Sequence, residues 1–307
     1  MYRGPEESLQ QVHENLDPER IRLQRERLGL TGRELADKVG VSPSAISQFE
    51  RAVSSPDMET LIQISIALDV PVKFFLDRDS NVRIPLDRCH FRSKRGVPQY
   101  KRRQSTSRAS LLLQLISYLE QRKIRFPDEQ LSGFIDSVEG ADQDTPVDYM
   151  EEMATKLRKH WGMGLGPIPN LVSLLESKGI LVLPLDKSHE DVDAFSLWHK
   201  DRPVILLTQQ KAASRDRLDA GHELCHLTLH SNAERDLKVI EDQAFRFGAA
   251  FLAPRKSFLP ECPRRWSYPA FLELKKRWKM SMQALARRAY DLDRISESSY
   301  RSANIDL

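Results

Sequence analysis

The chain has 307 residues and a formal net charge of +3, from 47 lysine and arginine residues against 44 aspartate and glutamate residues. A single domain usually has about 100–200 residues, so this length predicts two or three domains. With 40% hydrophobic and 30% charged residues, the composition is that of a soluble globular protein and excludes a mostly disordered or collagen-like chain. No apolar run approaches the roughly 18 residues of a membrane span, so we expect no membrane partner.

The N-terminal sequence and the cysteines indicate the compartment. The first 20 residues lack the apolar core of a signal peptide. Cys89, Cys225 and Cys262 are too few and too scattered for a disulfide framework. We therefore expect a cytoplasmic protein with reduced thiols.

Glycine and proline breaks, together with changes in hydrophobic period, predict the domain organisation. Short helices separated by tight turns come first, followed by a basic connector with a helical linker. Apolar strands alternating with helices come next, and the chain ends in further helices. The predicted segments are 18–80, 81–165, 166–260 and 261–307.

The first segment has the pattern of five short helices, two of which flank a tight turn. Thr31 followed by Glu34 forms a capping box that begins one helix, and Gly40 ends it in a left-handed conformation at little steric cost. Ser42 and Pro43 begin the next helix with a capping hydroxyl and a first-turn proline. A short turn between two closely crossing helices is what a helix-turn-helix requires.

The same stretch resembles the XRE (Cro/repressor-like) DNA-binding family over the run LTGRELADKVGVSPSAISQFERAVSSPDMETLIQISIALDVPVKFFL. The resemblance implies a recognition helix over 42–51 that enters the major groove of double-stranded DNA. The residues expected to read bases are Ser44, Ser47 and Gln48, and those expected to contact phosphates are Arg33, Lys38 and Arg51. The alternative is a protein-docking or dimerisation module, because residues 1–80 carry a net charge of −4 and DNA affinity comes largely from neutralising phosphates.

A basic joint, Arg83–Arg108, follows the first segment and has the opposite charge. It holds nine lysine and arginine residues against one acidic residue, Asp87, and contains the aromatic residues Phe91 and Tyr100. Aromatic rings in a basic groove stack on unpaired bases, so single-stranded nucleic acid is a candidate partner at this joint. The alternative is a solvated linker.

The second motif is His222-Glu223-Leu224-Cys225-His226, an H-E-x-x-H sequence on a predicted helix. Residues four apart lie on one face of a helix, about 6 Å apart along its axis, so the two imidazoles can bind one zinc ion. Glu223 can then take a proton from water as the general base of peptide hydrolysis.

A catalytic zinc ion needs a third protein ligand, and two residues compete for that role. His230 lies on the same helix face as His222 but about 12 Å farther along the helix axis. We therefore expect His230 to lie behind the zinc ligands or to face the substrate rather than to bind the zinc. Glu241 lies at the start of the next predicted helix, and a hairpin of the two helices would bring it to the zinc. The small residues that would permit a close crossing are Ala244, Gly248 and Ala249.

Several runs resemble the ImmA/IrrE metallopeptidase family from about residue 90 to the C-terminus. They are HELCHLTLH, EDQAFRFGAAFLAP, GPIPNLVSLLESKGILV, DAFSLW, HFRSKRG and LKKRWKMSMQALARRAY. The resemblance implies zinc bound by His222, His226 and Glu241, with Glu223 as general base. It also implies an α+β minimal zincin (gluzincin-like) domain with a small sheet and a helical C-terminal segment. Characterised members of this family cut a partner XRE-type repressor.

Two residues depart from the family pattern, which usually has Gly in place of Cys225 and Met in place of Ala253. The sulfur of Cys225 is expected near the zinc, where a thiolate would compete for the open position or make the site redox-sensitive. The alternative is a small buried residue that fills the place of the glycine. Ala253 is a mild change in the core.

The last segment is expected to form two amphipathic helices, Leu272–Trp278 and Met282–Tyr290, with Arg287, Arg288 and Arg294 facing outward. This hairpin is either a lid on the zincin or a second DNA-contacting element.

Together these motifs predict a transcriptional regulator fused to a zinc-dependent endopeptidase, with Zn²⁺ as cofactor. The expected substrate is an XRE-type repressor or antitoxin-like protein. One alternative is a transcription factor whose zincin-like domain senses a ligand, metal or peptide without cutting it. Another alternative is that the XRE unit docks a partner repressor. A homodimer of this chain is a further candidate assembly.

Overall fold

The computed structural model describes residues 15–76, 83–86, 89–93, 98–185, 192–208, 213–230 and 238–307. The chain divides into two compact units, one of Met1–Asp87 with Gly96–Arg125 and the other of Arg88–Arg95 with Phe126–Leu307. The predicted connector segment therefore contributes residues to both units, and the predicted four-segment division stays a prediction. Within the described ranges, no helix has the length and apolar character needed to cross a membrane.

The first unit is helical. Its elements are α1 (Pro18–Arg27), α2 (Gly32–Val39), α3 (Pro43–Glu50), α4 (Met58–Ala67), a 3₁₀ helix (Val72–Leu76) and α5 (Gln99–Gln121). The five short helices predicted before residue 77 are thus four α-helices and one 3₁₀ helix. Their apolar faces share one core, which includes Ile21, Leu35, Ile46, Ile64 and Phe75.

The capping residues act as the sequence predicts. The backbone N–H of Glu34 donates to the Thr31 hydroxyl, and the backbone N–H of Thr31 donates to the Glu34 carboxylate. Gly40 ends α2 with φ +78°, and the Ser42 hydroxyl accepts from the backbone of Ala45 at the start of α3. These caps fix the short turn between α2 and α3.

Helix α5 begins within the basic joint, and its first half packs through polar contacts that leave no hydrophobic period. Its buried residues include Gln104, Ser107 and Gln114. The Gln104 amide donates to the carbonyl of Arg27, the Ser107 hydroxyl donates to Glu26, and Gln114 accepts from Arg20. Part of the basic joint is therefore the beginning of a packed helix, which argues against a solvated linker there.

The second unit contains a four-stranded sheet with the order β1-β3-β4-β2. The strands are β1 (His90–Ser93), β2 (Leu181–Leu185), β3 (Val192–His199) and β4 (Arg202–Thr208). Strand β3 pairs antiparallel with β1 and β4, whereas β2 pairs parallel with β4. Strands β2, β3 and β4 were predicted from their apolar runs. Strand β1 was not predicted, because it lies within the basic joint and has no apolar alternation.

Nine described helices complete the second unit. They are α6 (Ser132–Ile135), α7 (Val147–His160), α8 (Leu171–Ser177), α9 (Ala213–Leu229), α10 (Lys238–Leu252), α11 (Arg255–Glu261), α12 (Tyr268–Trp278), α13 (Met282–Asp291) and α14 (Glu297–Asp306). One apolar core runs through them and the sheet. The predicted fold class is confirmed: a helical helix-turn-helix region, then a domain with a small sheet and a helical end.

The prediction that Arg288 faces outward is wrong. Its side chain is 1% exposed and forms a two-pronged ion pair with Glu151 of α7. It also donates to the carbonyl of Ala253, the residue that follows α10. A buried guanidinium requires such partners, and none of them is near Arg288 in sequence. Arg287 and Arg294 are partly exposed.

Candidate metal centre

The imidazoles of α9 and the first turn of α10 meet at one point. His222 Nε2 lies 3.0 Å from His226 Nε2. Glu241 places one carboxylate oxygen 3.1 Å from His222 Nε2 and the other 3.5 Å from His226 Nε2. The hairpin of the two helices therefore brings together the three residues predicted to bind zinc, and their ligand atoms all lie within 4.8 Å of one another.

These separations fit a tetrahedral zinc ion. Bonds of about 2.0–2.1 Å at tetrahedral angles place neighbouring ligand atoms about 3.3–3.4 Å apart. The observed separations of 3.0–3.5 Å bracket that value. Two imidazoles and one carboxylate are also the donor set of a catalytic site, in which a fourth position stays open.

The charge of Glu241 suits a cation site. Burial alone would raise the pKa of this carboxyl group, but hydrogen bonds and charge interactions with His222 and His226 outweigh burial. They hold the pKa of Glu241 well below its ordinary value, so the group stays a carboxylate. Both histidines are 2% exposed, whereas the Glu241 side chain is one-third exposed.

Ser196 of β3 contacts the expected general base and was missed by sequence reasoning. Its hydroxyl donates to Glu223 Oε2 at 2.6 Å, and both residues are fully buried. Phe195 and Leu197, its neighbours along the strand, are also buried, so this strand is covered on both faces. A polar residue in such a strand was the available signal, because a buried hydroxyl needs a partner.

His230 lies behind the metal-facing atoms, one of the two positions predicted for it. Its Nδ1 is 3.0 Å from His226 Nδ1, on the side of that ring away from Glu241. Its Nε2 is 3.1 Å from the side-chain oxygen of Gln243. His230 is 0% exposed. Gln243, on the buried side of α10, is a second residue that sequence reasoning missed.

Cys225 is a fully buried thiol on α9. Its Sγ lies 4.0 Å from both ring nitrogens of His230. Burial, followed by the charges of Glu241 and Glu223, raises the pKa of the thiol well above its ordinary value. Among the described residues, the converging ligand group contains no sulfur. Both observations favour the interpretation of Cys225 as a small buried residue. A Cys225 thiol close to the zinc stays a prediction.

The close crossing of α9 and α10 depends on two glycines. A Cβ atom at Gly248 would lie 2.8 Å from the backbone nitrogen of His222 and 2.9 Å from the carbonyl carbon of Gly221. Gly248 was predicted as a small contact residue, whereas Gly221 was not. The crossing places Glu241 against the histidines.

The residues predicted to contact DNA lie on the surface of the first unit. Arg33, Lys38, Ser44, Ser47 and Arg51 are exposed. Gln48 is half-buried, and the Ser54 hydroxyl lies 3.5 Å from its side-chain oxygen. The Arg51 guanidinium donates to the carbonyl of Ser47. Tyr100 of the basic joint is also exposed, whereas the side chain of Phe91 lies outside the described residues.

The fold and the site together define the class of protein. The chain carries a capped helix-turn-helix and, in its second unit, an α+β domain whose H-E-x-x-H helix faces a glutamate of the next helix. Residues 21–75 match the family model described as Helix-turn-helix. Residues 175–290 match the model of peptidase family M78, described as the IrrE N-terminal-like domain. The chain therefore contains a helix-turn-helix domain and an IrrE-like peptidase-family domain.

A relative among curated proteins is similar to part of the chain. It is the uncharacterized HTH-type transcriptional regulator YqaE of Bacillus subtilis (strain 168), which is 35% identical over 66 residues. The match covers 22% of this chain and 57% of the relative.

Proposed function

We propose that the protein is a transcriptional regulator whose second unit is a zinc-dependent endopeptidase. The observation that carries this proposal is the convergence of His222 Nε2, His226 Nε2 and the Glu241 carboxylate at the spacing of a tetrahedral zinc site. The match of the surrounding residues to a peptidase family supports it.

The residues of the site divide the chemistry of peptide hydrolysis between them. His222, His226 and Glu241 would hold zinc, which supplies Lewis-acid polarisation of a peptide carbonyl and of water. Glu223 takes a proton from the attacking water while the oxygen of that water bonds to the carbonyl carbon. Glu223 then gives that proton to the nitrogen of the leaving amine as the C–N bond breaks. The hydroxyl of Ser196 holds the carboxylate in place for both transfers.

The first unit would bind double-stranded DNA through α3. The exposed hydroxyls of Ser44 and Ser47 and the amide of Gln48 are suited to base edges, and the exposed cations Arg33 and Lys38 are suited to phosphates. The match of residues 21–75 to the helix-turn-helix model supports this assignment.

The proposed substrate is a partner protein, an XRE-type repressor or an antitoxin-like protein. Support for it comes from the resemblance to the ImmA/IrrE family, whose characterised members cut such repressors. A homodimer, single-stranded nucleic acid at the basic joint and a cytoplasmic location stay predictions.

The replacement Glu223→Gln tests the proposal, because it removes the general base and leaves the three zinc ligands unchanged. We expect the purified variant to hold zinc as the unaltered protein does, and its rate of partner cleavage to fall by about 10²–10⁴-fold. Zinc content and partner cleavage measure the two effects. A variant that cleaves at the unaltered rate contradicts the proposal.

One observation favours a second candidate, a zincin-like domain that senses a ligand without cutting. Glu223 is 0% exposed and the two histidines are 2% exposed, so little of the site faces solvent. In that case the protein binds zinc and its operator, and Glu223→Gln changes neither operator binding nor the response to the ligand.

A further inference from the structure

A chain of hydrogen bonds leads from a surface turn to Nδ1 of His226, on the side of the ring away from the proposed zinc site. The side-chain nitrogen of Gln243 donates to the carbonyls of Asp142 and Thr145, at 2.8 and 3.1 Å. Its side-chain oxygen lies 3.1 Å from His230 Nε2. His230 Nδ1 in turn lies 3.0 Å from His226 Nδ1.

The direction of each bond in this chain follows from the two carbonyls. A carbonyl only accepts, so the NH₂ group of Gln243 must face Asp142 and Thr145, and its oxygen must face His230. An amide oxygen only accepts, so His230 carries its proton on Nε2. A neutral imidazole with its proton on Nε2 presents a lone pair at Nδ1, which accepts from the N–H of His226 Nδ1.

The consequence reaches the proposed metal site. With its proton kept on Nδ1, His226 can bind a metal ion in place of a proton at Nε2, the atom that faces His222 and Glu241. Cys225 does not alter this assignment, because its sulfur lies 4.0 Å from both nitrogens of His230 and favours neither.

We propose that Gln243 is a positioning residue that, through His230, fixes His226 in the tautomer whose Nε2 can bind zinc. This inference rests on the proposed zinc site. Gln243 is 1% exposed and touches none of the three ligands by a hydrogen bond in the described contacts, so its effect passes through His230.

The turn that supplies the two carbonyls is itself held in place. The Thr145 hydroxyl donates to the Asp142 carboxylate, and the backbone N–H of Asp142 donates to the Thr145 hydroxyl. The backbone N–H of Ala141 donates to the carbonyl of Leu229 at the end of α9. Gln243 therefore binds the carbonyls of a turn that is itself hydrogen-bonded to the end of α9, the helix that carries His222 and His226.

The replacement Gln243→Met tests the inference, because methionine fills a similar volume and has no amide. We expect the zinc dissociation constant of the full chain, measured by competition with a chromophoric chelator, to rise by about 10- to 100-fold. The matched control is Thr228→Val, which removes a buried hydroxyl of α9 that donates only to helix carbonyls in the described contacts. Its zinc affinity is expected to stay within about twofold.

A second measurement needs no variant. In the full chain labelled with ¹⁵N-histidine, the ring resonances of His230 are expected to show a protonated Nε2 and a bare Nδ1, and those of His226 a protonated Nδ1. The opposite tautomer of His230, or an unchanged zinc affinity of Gln243→Met, overturns the inference and leaves the proposed function standing. An unaltered protein that binds no zinc overturns both.

Discussion

The hydroxyl of Ser196 orients the buried carboxylate of Glu223 through a hydrogen bond. Glu223 is fully buried, and Ser196 Oγ lies 2.6 Å from one of its oxygens. Burial removes the hydrating water of a carboxylate. The group then needs such a donor, because a buried charge without hydrogen-bond partners costs free energy. The same bond fixes the direction in which Glu223 presents its other oxygen, which is the property a general base needs.

The replacement Ser196→Ala is therefore expected to lower kcat of partner cleavage by about tenfold and to leave zinc affinity unchanged. The physical reason is that the hydroxyl orients Glu223 and touches none of the zinc ligands in the described contacts. Steady-state cleavage and chelator competition on the same preparation measure the two quantities. Ser196→Thr keeps the hydroxyl and serves as the control. A parallel loss of zinc affinity would assign Ser196 a purely structural role.

At the scale of elements, the crossing of α9 and α10 places Glu241 against the histidines. The crossing is close because Gly221 and Gly248 face each other without side chains, with a Cβ at Gly221 lying 3.1 Å from the Cα of Gly248. The atoms that a side chain would meet belong to backbone, which cannot move aside as a flexible side chain does.

The replacement Gly248→Ala is expected to lower the free energy of unfolding by about 1–3 kcal/mol, because the added methyl group overpacks the crossing. Alanine usually stabilises a helix by about 0.5–1 kcal/mol relative to glycine, so a loss here points to the crossing itself. Zinc affinity should fall as well, since the helices separate. Denaturant unfolding measures the first effect, and chelator competition measures the second.

Gly164→Ala is the matched control, because a Cβ at that glycine has no neighbour within 4 Å. We expect it to change the free energy of unfolding by no more than about 0.5 kcal/mol. Equal effects of the two replacements would contradict the account of the crossing.

The sequence predicted those parts of the fold and site that depend on local spacing. Two histidines four residues apart on a helix must share a face, and Glu241 needed only a helix hairpin to reach them. Ser196 was missed because its partner Glu223 lies 27 residues away, with no periodic pattern between them. Gln243 was missed because its contacts join His230, 13 residues away, to the carbonyl of Asp142, 101 residues away. Arg288 was placed outward because an amphipathic pattern does not reveal a partner such as the partly buried carboxylate of Glu151, which is 137 residues away.

At the scale of the whole molecule, the charge distribution bears on nucleic-acid binding. The net charge of +3 conceals a net charge of −4 over residues 1–80 and an excess of eight positive charges over the basic joint. Each exposed cation of the first unit that contacts a phosphate should therefore contribute measurably to affinity.

The replacement Lys38→Ala is expected to weaken operator binding and to reduce the slope of log K against log salt by about 1, because one phosphate contact is lost. Titrations at several salt concentrations measure the slope. Lys159→Ala changes an exposed lysine of the second unit and is the control. An unchanged slope for Lys38→Ala would support the interpretation of this unit as a docking module for a partner repressor.

Both proposals for the second unit depend on zinc bound by two histidines and one glutamate of this chain. X-ray absorption at the zinc edge of the purified full chain tests this binding, because bond lengths separate nitrogen and oxygen ligands from sulfur. We expect bound zinc with nitrogen and oxygen ligands at about 2.0–2.2 Å, and we expect this signal to be lost in His222→Ala. Protein that binds no zinc, or zinc with a sulfur ligand at about 2.3 Å from Cys225, would contradict it.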